Sequence, residues 1–245
     1  MAIEVFNRFE HKYMLDRKTF ETVLAVMDAY MELDSHNENH MPYTIANIYY
    51  DTDDDYLIRK SLSKPKYKEK LRLRAYGVPK ETQKVFLEIK KKCNGIVNKR
   101  RTTLLLKEAY DFVKTGIAPA EKDYMNEQVL KEITYFLQIY DLKPKLYLAY
   151  DRIAYFEKGN ADLRISFDTN IRSRRYDLRL DAGDYGEELL ASDVFLMEIK
   201  TSLAKPLWLT DMLTELHIKR RSFSKYGTEF KQYINHAPQK MKTAI

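Results

Sequence analysis

The chain has one cysteine, Cys93, in 245 residues. That excludes an internal disulfide and any multi-cysteine zinc site, and it fits a reducing compartment. Glycine is scarce, with seven residues and none arranged as a glycine-rich phosphate loop. Any phosphate this protein binds must therefore be gripped by side chains. No run comes near the roughly 20 apolar residues of a membrane span, and residues 1–8 hold no apolar stretch of signal-peptide length. The five histidines show no metal-ligand spacing. There is no linker, repeat or low-complexity tract. The expectation is one α+β domain over residues 1–245, with a core from about 6 to 234, in a soluble, cytoplasmic protein.

What the chain does have is alternation. Lys70-Leu71-Arg72-Leu73-Arg74 sets basic against apolar residues with a period of two, the pattern of a strand. Alternate residues on a strand lie about 7 Å apart, so each like pair on the charged face costs roughly 2 kcal/mol before screening at an effective dielectric of about 20. Such a face is well solvated or it holds an anion. Other strands repeat the pattern: Arg8, Glu10 and Lys12; Glu88, Lys90 and Lys92; Tyr150 and Arg152; Arg164, Ser166 and Asp168; Glu198 and Lys200. Solvated faces ordinarily mix signs, whereas these gather positive charge strand after strand, within a net charge of +6. If amphipathic helices cover the apolar faces from outside, the charged faces line the inside of a closed or nearly closed antiparallel barrel. A lumen of Arg and Lys then suits a polyanion. The interspersed glutamates are either salt-bridge partners of those cations or ligands for a divalent metal. Duplex nucleic acid is disfavoured, because the cations alternate along strands and do not run along an exposed helix.

Between the strands the spacing predicts a helix after an Asp16 N-cap, a short helix over Asp53 to Leu62 with acids in its first turn, and helices over Lys107 to Thr115 and Asn126 to Tyr140. Separate strands are expected at Asp162 to Thr169 and Ile171 to Tyr176. A helix follows Pro206, and a final one runs from Thr228 to Ile234 behind the basic segment Lys219 to Lys225. An Asn94-Gly95 turn is expected between two of the strands.

In order along the chain, Glu10-His11-Lys12-Tyr13, Tyr67 to Gly77, Leu87-Glu88-Ile89-Lys90, Tyr150-Asp151-Arg152, Leu163 to Thr169, Met197-Glu198-Ile199-Lys200 and Ser222 to Tyr226 resemble the catalytic domain of the vacuolar transporter chaperone (VTC) polyphosphate polymerases, within the triphosphate tunnel metalloenzymes. The resemblance implies an eight-stranded antiparallel tunnel with helices packed outside, binding ATP or triphosphate and inorganic polyphosphate with Mn²⁺ or Mg²⁺. It implies phosphate-binding roles for Lys12, Arg72, Arg74, Lys90, Lys99, Arg152 and Arg164, with supporting contacts from Tyr150 and Ser224. It implies metal binding by Glu198, and a basic residue near the reacting phosphates, Lys225, on a helix that closes the tunnel; Lys12 and Lys225 are the catalytic candidates. Lys92 stands where the family can have histidine and Ser222 where it has lysine. The eukaryotic polymerases carry an SPX regulatory domain and sit in membrane complexes; here the matching segments start near residue 6 and no span is expected, so a membrane-protein partner stays open. The expected activity is transfer of the γ-phosphoryl group of ATP to polyphosphate. A tunnel triphosphatase and a non-catalytic polyphosphate- or nucleotide-binding module are the alternatives.

Overall fold

The computed structural model describes residues 9–37, 41–94 and 96–236. Arg8, the Gly95 half of the expected turn and the tail from Pro238 lie outside the described residues. The strands are β1 (Phe9–Leu15), β2 (Met31–Leu33), β3 (Tyr43–Asp51), β4 (Tyr67–Tyr76), β5 (Lys84–Cys93), β6 (Ile96–Leu105), β7 (Lys143–Glu157), β8 (Asn160–Arg174), β9 (Glu187–Glu188) and β10 (Phe195–Thr201). The helices are α1 (Arg17–Met27), α2 (Tyr56–Leu62), α3 (Leu106–Thr115), α4 (Glu127–Ile139), α5 (Leu207–Glu215) and α6 (Lys225–His236).

Eight strands form one antiparallel path, β1-β10-β8-β7-β3-β4-β5-β6, with β2 added to β7 and β9 to β8. The alternation sorts every strand into two faces. Leu71, Leu73, Leu87 and Ile89 turn outward beneath Phe112 of α3 and Ile133 and Phe136 of α4. Tyr13, Ile165, Phe167 and Ile199 turn outward beneath Phe20, Val23 and Met27 of α1 and Met212 of α5. Each such fully buried large side chain contributes roughly 1.5–3 kcal/mol of transfer free energy. The other face curls inward. Lys90 on β5 feels the charges of Glu10 and Lys12 on β1 and of Lys200 on β10, although β1 and β5 are far apart along the path. The terminal strands β1 and β6 share no ladder among the described residues. The sheet is thus a curled tunnel with a seam, and not a sealed barrel.

Three local expectations need correction. The last helix begins at Lys225, not Thr228, and it is not part of the outer coat. Its Tyr226 and Phe230 pack with Ile45, Leu148, Tyr150 and Leu196, which belong to the inner face. The second helix begins at Tyr56 with no acid in its first turn. Asp51 at the end of β3 caps it instead, accepting from Leu57 N–H at 2.8 Å and Ile58 N–H at 2.9 Å. The two strands expected on either side of Asn170 are one, β8, in which Asn170 takes a left-handed turn (φ 47°) and the chain continues. The segment before α6 is stitched to the sheet by Arg221 N–H, which donates to the Lys12 carbonyl of β1 at 2.8 Å.

Candidate functional site

The lumen is built by the inward half of each alternation, and its carboxylates organise it. Glu88 on β5, 1% exposed, receives Arg72 Nε at 2.7 Å and Lys99 Nζ at 3.1 Å, with Arg74 Nε at 3.9 Å. Burial would push Glu88 up, but Arg72, Arg74 and Lys99 together hold it well below the usual carboxylate range. The two arginines are aimed by neighbours on β3 and β7. Arg72 Nη1 donates to Tyr49 Oη at 3.2 Å. Arg74 donates to Asn47 Oδ1 at 3.0 Å and to Tyr150 Oη at 3.2 Å.

A second group sits where α6 enters. Arg152 holds Asp168 with two bonds, Nε–Oδ1 at 2.6 Å and Nη2–Oδ2 at 2.8 Å. Lys225, the first residue of α6, also donates to Asp168 and packs over the Tyr150 ring with its nitrogen 4.2 Å from the centroid. Glu198 on β10 lies among Lys12 at 3.1 Å, Arg152 at 3.3 Å, and Lys200 and Lys225 at 3.5 Å. Lys12 also touches Glu10 at 3.1 Å. Burial opposes its charge, but Glu198 and Glu10 outweigh that and hold the ammonium above its ordinary value.

Two other lumen cations, Lys70 and Lys90, have no such partner among the described residues. Lys70 makes no ion pair with a described residue and packs its nitrogen 5.4 Å from the Tyr226 ring centroid; burial draws its ammonium down to about 8. Lys90 is likewise unpaired, and burial lowers it too. Lys99, on the edge strand, is drawn down to about 8 by burial, against the pull of Glu88. The lumen thus mixes anchored cations with cations free to meet an anion.

The structure brings together Lys12, Arg72, Arg74, Lys90, Lys99, Tyr150, Arg152, Lys225 and Glu198. Arg164 stands apart, donating to Asp34 Oδ2 at 2.8 Å near Tyr43. Ser224 is exposed, and its Oγ accepts from Gly227 N–H at 3.2 Å, so its contact here is the cap of α6. Asn47, Tyr49 and Asp168 were missing from the sequence-derived set. Parity places all three on the inner face, and only parity could have found them.

Among the described residues, no cluster of three or more carboxylate, histidine or cysteine side chains could hold a metal alone. Glu198 and Glu10 converge on one ammonium, however. Hard divalent ions such as Mg²⁺ are commonly bound by one or two carboxylates plus substrate phosphates, and this pair of oxygen donors fits that mode.

Among solved structures, a candidate adenylate cyclase of Bacillus halodurans is similar at 15% identity and a TM-score of 0.52, over 88% of this chain and 92% of that one. A candidate adenylyl cyclase of Hippeastrum, whose dominant activity is that of a triphosphatase, is similar at 13% identity and a TM-score of 0.52, over 91% and 95%. Both share the fold. The vacuolar transporter chaperone complex subunit 4 of Trypanosoma cruzi (strain CL Brener) is 26% identical over 219 residues, 75% of this chain. The chain spans about a quarter of that relative's length, 26%. No helix among the described residues is long and apolar enough to cross a membrane. The VTC domain matches residues 7–234, nearly all of the described tunnel, and the chain belongs to that family.

Proposed function

We propose that this protein is a polyphosphate polymerase, transferring the γ-phosphoryl group of ATP to the end of an inorganic polyphosphate chain on the cytoplasmic side of any membrane partner. The observation that carries this reading is the lumen itself: Arg72, Arg74, Lys12, Lys90, Lys99 and Arg152 converge from five strands, and Lys225 enters on a helix that closes the space. Phosphoryl transfer asks little covalent chemistry of a protein; it needs the phosphates in line and their charge neutralised. Arg72 and Arg74 would grip phosphate oxygens with paired N–H donors. Lys12 and Lys225 would stand at the reacting phosphates and stabilise charge on the transferring group. A terminal polyphosphate oxygen then attacks the γ-phosphorus, the bond to the β-bridging oxygen breaks, and ADP leaves. Glu198, with Glu10, would hold a Mn²⁺ or Mg²⁺ ion, which would draw charge from the phosphate oxygens. The packing of Tyr226 and Phe230 of α6 against Tyr150 and its sheet neighbours would keep water from the γ-phosphate.

The test is incubation with ATP and Mn²⁺. The expected products are ADP and long-chain polyphosphate in matching amounts. Phosphate without polymer would overturn the polymerase in favour of a tunnel triphosphatase, the reading supported by the activity of the Hippeastrum fold relative.

A further inference from the structure

Next to the phosphate-gripping arginines lies a set of rings that phosphate has no use for. Tyr76 follows Arg74 by two residues on β4 and so shares its inward face. Phe86 on β5 is the cross-strand partner of Arg74, and Tyr43 on β3 is the cross-strand partner of Arg152. The rings form a continuous arc: Tyr43 to Tyr76 at 5.8 Å and Tyr76 to Phe86 at 5.9 Å between centroids, both edge to face. The arc ends in cations on both sides. Arg101 lies 4.6 Å over the Phe86 ring, and Arg164 Nη2 lies 3.5 Å from Tyr43 Oη. The arc is not core, since Tyr76 is 47% exposed and none of the three rings belongs to the buried clusters' fully covered residues. It lies one strand dipeptide, about 7 Å, beyond Arg74.

We propose that the arc of Tyr43, Tyr76 and Phe86 is a stacking platform for the base of a nucleoside triphosphate whose phosphates are held by Arg74 and Arg152. The proposal rests on the phosphate-tunnel reading and adds the nucleoside end of the substrate. A half-exposed ring, Tyr76, beside a phosphate grip suits a flat heterocycle, and stacking accepts any base because every base has a π-face. Arg101 and Arg164, at the ends of the arc, favour a ligand that carries negative charge next to its base. The platform therefore distinguishes nucleotides from bare phosphate chains without distinguishing one nucleotide from another.

Calorimetric titration of the full chain with Mg-ATP, Mg-GTP and inorganic tripolyphosphate tests this, in the wild type, in Tyr76→Ala and in Phe86→Ala. Tyr76→Ala removes a half-exposed ring and endangers folding little. Its expected effect is about tenfold weaker binding of both nucleotides, with tripolyphosphate changed by less than about twofold. The same pattern is expected for Phe86→Ala, and Tyr76→Phe, which keeps the π-face, is expected to bind nucleotides as the wild type does. Equal losses for nucleotide and tripolyphosphate in a variant of unchanged circular dichroism, or no loss at all, would overturn the platform and leave the phosphate tunnel standing. A wild type that binds neither ligand would overturn the tunnel reading and the platform with it.

Discussion

Asp168 already holds Arg152 and Lys225, the two cations that the proposed function assigns to an incoming phosphate. With 0% exposure, Asp168 keeps its charge because Arg152 and Lys225 outweigh its burial. Breaking a buried pair of this kind typically costs about 3 kcal/mol or more. Asp168→Asn is therefore expected to lower ligand-free stability by about 3 kcal/mol in urea unfolding, while tripolyphosphate binds more tightly because its rival is gone. Weaker tripolyphosphate binding in that variant would refute the competition. Lys70 gives a pH dependence. Its folded pKa, about 8, lies below the unfolded lysine value of about 10.4, so between those values the folded state binds fewer protons than the unfolded one. This group's contribution to stability rises with pH across that window. Anion affinity moves the other way, because the lumen loses a positive charge above pH 8. Tripolyphosphate affinity is expected to fall from pH 7 to pH 9.5, and Lys70→Arg to flatten the fall, as followed by titration in matched buffers. At this scale the sequence was most informative about Arg72, Arg74, Lys90 and Arg152, because a period of two states which way a side chain points. It put Asp168 on a charged face but could not show its pairing, since the Lys225 that completes it lies 57 residues away along the chain.

Among the elements, Asp51 shows how a strand end can hold two helices. Its carboxylate accepts both the Leu57 and Ile58 N–H groups of α2 and, at 3.2 Å, the Tyr226 hydroxyl of α6. Asp51→Ala removes a helix cap, which commonly costs up to about 2 kcal/mol, and it frees the helix that carries Lys225. The expected outcome is a loss of about 2 kcal/mol in stability together with reduced turnover at saturating ATP; full turnover would mean that α6 holds its place without this anchor. Element types and apolar faces were readable from periodicity, as in α1, α3 and α4. The starts of α2 and α6 were not: α2 is capped by Asp51 from the end of the preceding strand, and not by an acid in its own first turn, and the residues that seat α6 come from strands elsewhere in the sheet. Asn170 falls between two strands expected from the sequence, and it does adopt a left-handed conformation, yet the ladder with β7 resumes beyond it at Arg172, Ser173 and Arg174.

For the molecule as a whole, the curl of the sheet decides where the charge ends up. A tunnel of partly unpaired lysines should gain stability from any ligand that fills it. Tripolyphosphate at about 100 times its Kd is expected to add about 2.7 kcal/mol to the unfolding free energy, readable as a rise in Tm that sodium chloride at equal ionic strength does not reproduce. The same rise with chloride would mean the cations sense only bulk screening. The alternation along each strand was enough to put the charges on one side of the sheet. The path β1-β10-β8-β7-β3-β4-β5-β6 and its seam were not readable, because strand order depends on pairings between segments up to about two hundred residues apart along the chain, such as Phe9 with Thr201.

The bond from Arg221 N–H to the Lys12 carbonyl ties the loop before α6 to the seam strand β1. A loop amide exposed to solvent ordinarily exchanges its hydrogen quickly, but this one is held by an edge strand and followed four residues later by α6. Swinging α6 away would strain or break that bond, and fraying β1 would pull on α6 in turn. In hydrogen exchange the Arg221 amide should therefore be protected out of keeping with its loop, and its protection should rise and fall with that of β1 and the first turn of α6, as amides do when they open in one cooperative step.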